Sequence, residues 1–94
     1  MFEIKIDKDG RIILSGRFDA AQVDKAREVF DSLNKSTVID LAALAYISSG
    51  GLSVLLGTEK RLRQAGGRLK LRNMNSHIRE LFKYAGLDMV FDIE

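Results

Sequence analysis

The sequence predicts an α/β fold, a mixed β-sheet of about five strands with helices packed on it, and three observations carry this expectation. An apolar–polar alternation opens the chain and returns near residue 70. Apolar positions recur every three or four residues in three longer stretches. A β-branched run lies between the first two of those stretches. Strands that alternate with helices pair in parallel through right-handed crossovers, so an opening hairpin followed by such units gives a mixed sheet. The 94 residues contain no proline and no low-complexity block, so residues 1–94 are read as a single domain.

Phe2, Ile4 and Ile6 alternate with Glu3, Lys5 and Asp7, the period of a strand with one wet face. Asp9-Gly10 tolerates positive φ and leads into Arg-Ile-Ile-Leu-Ser at 11–15, which makes the two runs a hairpin closed by Gly16. Asp19 and Gln22 form a capping-box pair at the start of a helix over 20–33, with the stripe Val23, Ala26, Phe30 and Leu33. Thr37, Val38 and Ile39, continuing to Leu41, predict a central strand buried on both faces. Leu52, Leu55, Leu56 and Leu62 mark a helix over 50–65, stopped by Gly66-Gly67. Residues 68–72 alternate as another half-buried strand, and Asn75 or Ser76 caps a third helix over 76–85 that carries Ile78, Leu81, Phe82 and Ala85. A short strand over 89–93 completes the order. The expected core is Ile4, Ile13, Val38, Ile39, Leu55, Leu56, Leu69, Leu71 and Phe82.

Composition narrows the function. So short a chain buries only about 60–65 % of its unfolded surface, and a deep substrate cavity would remove much of what stabilises it, which argues against an enzyme. Fifteen basic and thirteen acidic residues leave a formal charge of +2, too balanced to point to nucleic acid. Cysteine is absent and His77 is the only histidine, so thiolate and multi-histidine metal sites are excluded and no cofactor is expected. The longest apolar run, residues 41–47, falls far short of the about 20 that a spanning helix needs, and no signal peptide opens the chain. The expectation is a cytoplasmic protein with no direct membrane insertion.

The unusual segment is Tyr46-Ile47-Ser48-Ser49-Gly50-Gly51-Leu52-Ser53, where two serines and two glycines meet a helix start. Free amides and the positive end of the helix dipole suit an anion there, and a kinase could reach a serine hydroxyl. The same residues also read as an N-cap with glycines for a tight turn, with Ser49 well placed to cap. No Gly-x-x-x-x-Gly-Lys or Gly-x-Gly-x-x-Gly frame is present, and nothing links His77 to Ser48 or Ser49 as a hydrolase base, so no catalytic residue is assigned. Lys60, Arg61, Arg63, Arg68, Lys70 and Arg72 form a basic cluster with no acid between them. It fits either the docking of an acidic partner or a solvated helix end and a blunted edge strand. The lack of interleaved aromatics speaks against single-stranded nucleic acid.

Gly16-Arg17-Phe18-Asp19-Ala20 after a hairpin, Val38-Ile39-Asp40-Leu41 followed by residues 46–52, Ala65-Gly66-Gly67 before a strand, and Ile78-Arg79-Glu80-Leu81 with Ala85-Gly86-Leu87 recur in one order and spacing over almost the whole chain. In this it resembles the STAS domain family of bacterial anti-sigma factor antagonists, or anti-anti-sigma factors. The resemblance implies a non-enzymatic partner switch that binds an anti-sigma factor with an ATP-binding kinase domain and frees a sigma factor for transcription. ATP would belong to the partner, a phosphatase would be a further partner, and a side of the sheet left exposed by a missing terminal helix would offer an apolar patch for a partner or a homodimer contact. The implied partner-binding residues are Gly16, Arg17, Phe18, Asp19, Ser48, Ser49, Gly50, Gly51 and Ser53.

Family members carry Ile-Asp-Ser-Ser-Gly-Leu at the helix start, with the second serine as phosphoacceptor. Aligned on Gly51-Leu52, that position is Gly50, the aspartate falls on Ser48 and the first serine on Ser49, leaving Ser49 and Ser48 as the candidate phosphorylation sites. A shift of one residue turns a helical side chain by about 100°, so Ser49 does not stand where the acceptor stands. Relatives continue past the last strand into a terminal helix, which is expected to be missing from a chain that ends at Glu94. The resemblance also admits a STAS subunit that binds a transporter ATPase.

Overall fold

The computed structural model describes residues 1–94. Its elements are β1 (Phe2–Ile6), β2 (Ile12–Phe18), a 3-10 turn (Ala20–Gln22), α1 (Val23–Phe30), β3 (Thr37–Ile47), α2 (Ser49–Gln64), β4 (Leu69–Arg72), α3 (Ser76–Tyr84) and β5 (Asp92–Ile93). The five strands form one sheet in the order β1-β2-β3-β4-β5, antiparallel only between β1 and β2. Each crossover after β2 advances one strand in the same direction, so right-handed connections put all three helices on one face.

That arrangement corrects the expectation of a central strand buried on both faces. Ile39 and Leu41 point to the helices with Ile12, Leu69 and Leu71 and are fully buried. On the other face Ile13 lies opposite Asp40 and Val38 opposite Lys70, and these residues are only half-buried. Ile13 and Val38 therefore leave the expected core, and Ile4 and Leu56 sit at its margin. Phe82 is buried as expected, and Phe18 and Phe30 join it as the largest fully buried side chains.

The helix expected over 20–33 divides into the 3-10 turn and α1, and α1 ends at Phe30. The Arg61 guanidinium holds the end of this helix and the turn after it, donating to Phe30 O at 2.7 Å and Leu33 O at 2.6 Å. A side chain from α2 thus adds a second donor to the Phe30 carbonyl, which has no partner within the helix, beside the Leu33 N–H. β3 is longer than expected, reaching Ile47, because its pairing with β2 resumes after each of two register irregularities and continues beyond Leu41. The last strand shrinks to Asp92–Ile93 because the segment before it turns, with Val90 N–H donating to Leu87 O.

In the hairpin, Asp7 accepts the Arg11 amide and guanidinium, each at 2.9 Å. The backbone bond from Arg11, ahead of the side-chain bond, holds the Asp7 carboxyl below the usual carboxylate range.

Glu59 of α2 is a charged residue that the sequence pattern does not single out. It is fully buried. One carboxylate oxygen accepts the Leu69 N–H of β4 at 2.8 Å, and the other accepts from Arg63 at 2.7 Å and from Arg68 at 3.2 Å. Both arginines also donate to Val90 O, which ties α2, β4 and the turn before β5 together. The basic cluster of residues 60–72 is therefore largely committed to the fold, with Arg61, Arg63 and Arg68 occupied internally. β4 is also not an edge, because β5 pairs with it.

Candidate functional site

The two segments singled out from the sequence meet at one end of the sheet. The Ser48 N–H donates to Phe18 O at 2.8 Å, which joins the end of β2 to the start of α2. Gly16 makes the approach to this end possible. It has φ of +84°, and a Cβ there would overlap the Met1 carbonyl oxygen, whose partner is the Arg17 N–H at 3.0 Å. Asp19 then caps the 3-10 turn as expected: its Oδ1 accepts from the Ala21 N–H at 3.1 Å, while its own N–H donates to Gln22 Oε1 at 3.1 Å.

Ser48, rather than Ser49, caps α2. Its backbone is extended, with φ of −86° and ψ of 171°, and its Oγ accepts the Gly51 N–H at 3.2 Å. Ser49 is the first helical residue and its side chain is exposed. The first amides of α2 lack intrahelical acceptors by position, and no acidic side chain sits in the first turn, so this end carries an uncompensated positive dipole end. Ser48→Ala is expected to lower stability by about 1 kcal/mol, whereas Ser49→Ala should change it by only a few tenths. Urea denaturation of the two variants checks the assignment, and a larger loss for Ser49→Ala would reverse it.

The two glycines differ in kind. A Cβ on Gly51 would lie 2.8 Å from Ile47 Cγ1 and 3.1 Å from the Phe18 ring, so this position admits nothing larger without displacing the core. A Cβ on Gly50 would point toward the start of α1, 3.1 Å from Val23 Cγ2 and 3.6 Å from Ser48 Oγ. That contact yields with a shift of a few tenths of an ångström.

The surface is consequently narrower than the residue set expected to bind a partner. Phe18 and Gly51 are buried beneath it; Phe18 stacks on Phe2 with centroids 4.7 Å apart. Both lie beneath the surface that the other residues of the set form. Arg17, Ser49 and Ser53 are exposed, and Gly16, Asp19, Ser48 and Gly50 are half-buried. The Arg17 guanidinium rests over the Tyr46 ring at 4.4 Å, a cation–π contact missed from the sequence because the two residues pair only across β2 and β3. No three His, Cys, Asp or Glu side chains gather as a metal site, and no helix is long and apolar enough to cross a membrane.

A family model described as "Mlab, STAS domain" matches residues 4–92. The chain is 42 % identical over 74 residues to BtrV of Bordetella bronchiseptica, a protein named for anti-sigma factor antagonism, covering 79 % of this chain and 58 % of BtrV. It is 31 % identical over 90 residues to the anti-sigma-B factor antagonist of Bacillus subtilis, covering 93 % of this chain and 83 % of that protein. Among solved structures, phosphorylated SpoIIAA, a Bacillus cell fate determinant, superposes with a TM-score of 0.71 at 19 % identity over 100 % of this chain and 91 % of that one. An anti-sigma factor antagonist from Mycobacterium paratuberculosis gives 0.77 at 23 % identity, over 99 % and 83 %. At these identities the superpositions speak for the fold: one mixed sheet with its helices on one side.

Proposed function

The chain belongs to the STAS domain family, and from that premise we propose that it is an anti-sigma factor antagonist, a cytoplasmic non-enzymatic switch that binds an anti-sigma factor and so frees a sigma factor for transcription. The observation that carries this role is the 31 % identity to the Bacillus subtilis anti-sigma-B factor antagonist across almost the whole chain. The names of the curated relatives favour it over the transporter-ATPase subunit that the resemblance also admits.

The binding surface is the end of the sheet where Arg17 and Asp19 meet Ser48, Ser49, Gly50 and Ser53. The partner is an anti-sigma factor with an ATP-binding kinase domain, and the nucleotide is its own. Gly50 has no hydroxyl to phosphorylate, and Ser48 uses its hydroxyl to cap α2. Ser49 stays accessible but lies one residue, about 100°, away from the acceptor position. Binding is therefore constitutive, with no phosphate to switch it off. The test is affinity purification of the tagged chain from its own cells, then calorimetry with the recovered anti-sigma factor and phosphopeptide mapping of the chain. A one-to-one complex and an unmodified Ser49 are expected; stoichiometric phosphate on Ser49 with loss of binding would overturn constitutive control, and absence of any anti-sigma factor would overturn the role.

A further inference from the structure

Between α1 and α2 runs an open groove of about 260 Å³, floored by Val54 and Thr58 of α2. Along α2 it runs from Ser53 to Arg61, whose guanidinium reaches the Phe30 and Leu33 carbonyls, so it leads away from the α2 start. Gly57 leaves one wall without a side chain; a Cβ there would meet nothing within 4 Å. Two guanidinium groups line the groove. Arg61 is held by its two carbonyl contacts, at 2.6 and 2.7 Å, whereas Arg27 is exposed and forms no salt bridge. Asp31 is the single acid at the groove, which leaves its lining with a net positive charge. Ser53, at the surface of α2 just beyond the start of the helix, joins groove and end into one surface.

With the antagonist role as premise, we infer that this groove is the second half of the partner interface and that it receives an acidic side chain of the anti-sigma factor. A carboxylate entering beside Gly57 meets the free Arg27 and the fixed positive charge of Arg61, with the Ser53 hydroxyl at the rim. The missing side chain at residue 57 is what admits it. A fixed cation gives such a contact direction at little ordering cost, and a complementary charge on the partner sets specificity and association rate.

Calorimetry of the recovered anti-sigma factor with Gly57→Leu, Arg27→Glu and Arg27→Lys tests the inference. Gly57→Leu fills the groove while improving helix propensity, so its melting temperature should hold or rise. It should nevertheless weaken binding at least tenfold. Arg27→Glu should do the same, with a reduced association rate at low salt, and Arg27→Lys should retain binding within a few-fold. Equal affinity for the unaltered chain, Gly57→Leu and Arg27→Glu would overturn the groove while leaving the antagonist role intact. Failure of the unaltered chain to bind would overturn the role and the groove together.

Discussion

Phe18→Ala is expected to destabilise the protein by about 3–5 kcal/mol, a large part of the roughly 5–15 kcal/mol that holds a small domain together. Phe18 is fully buried, stacks on Phe2 and lies against the backbone of Gly51. Removing the ring opens a cavity beneath the first turn of α2, and the sheet on its other side, pinned by the Phe18 O to Ser48 N–H bond, cannot collapse to fill it. Phe18→Leu keeps most of the volume and should lose about 1–1.5 kcal/mol. Urea denaturation of both variants measures this, and a loss under about 1 kcal/mol for the alanine variant would show that the ring does not seat α2 on the sheet.

Glu59→Ala is expected to be nearly as damaging, at about 2–4 kcal/mol, chiefly through the buried Leu69 N–H that it leaves without an acceptor. The ion pairs contribute less, since the Arg63 and Arg68 side chains are 55 % and 47 % exposed and screened by water. Glu59→Gln keeps an oxygen for Leu69 but turns an amide NH2 toward two guanidinium groups, and should lose about half as much. Because the main contribution is a buried hydrogen bond, 0.5 M salt should leave the difference between the variants nearly unchanged. A loss for Glu59→Ala that vanishes in salt would reassign the stabilisation to the surface charges.

These two residues also mark what can be read from one sequence. The strand periods, the Asp19–Gln22 box and the stripes of α2 and α3 are local patterns, and each becomes the element it suggests. Glu59 was invisible because its acceptor role depends on Leu69, ten residues on and in another element. For the same reason its arginine partners read equally as a docking patch or as a solvated basic run. Whether β3 has one buried face or two depends on the direction in which successive crossovers step across the sheet, a property of topology and not of Thr37, Val38 or Ile39 themselves. At the site, adjacent serines offer the same hydroxyl, and only the extended backbone at Ser48 decides which one caps. The segment itself was legible, since two serines and two glycines at a helix start are unusual; the burial of Phe18 and Gly51 beneath it was not.

The claim that most needs testing is that the start of α2 is where the partner binds, and residue 50 is the place to test it. Gly50→Ala introduces only the Cβ facing Val23, whereas Gly50→Asp adds a negative charge at the same point. Calorimetric titration of the recovered anti-sigma factor with the unaltered chain and both variants separates the two effects. Gly50→Ala should bind within about threefold of the unaltered chain, and Gly50→Asp at least tenfold more weakly than Gly50→Ala, since about 1.4 kcal/mol is a factor of ten and a charge mismatch at a packed interface exceeds it. Equal affinities for Gly50→Asp and Gly50→Ala would contradict the account, placing the partner on some other surface of the domain.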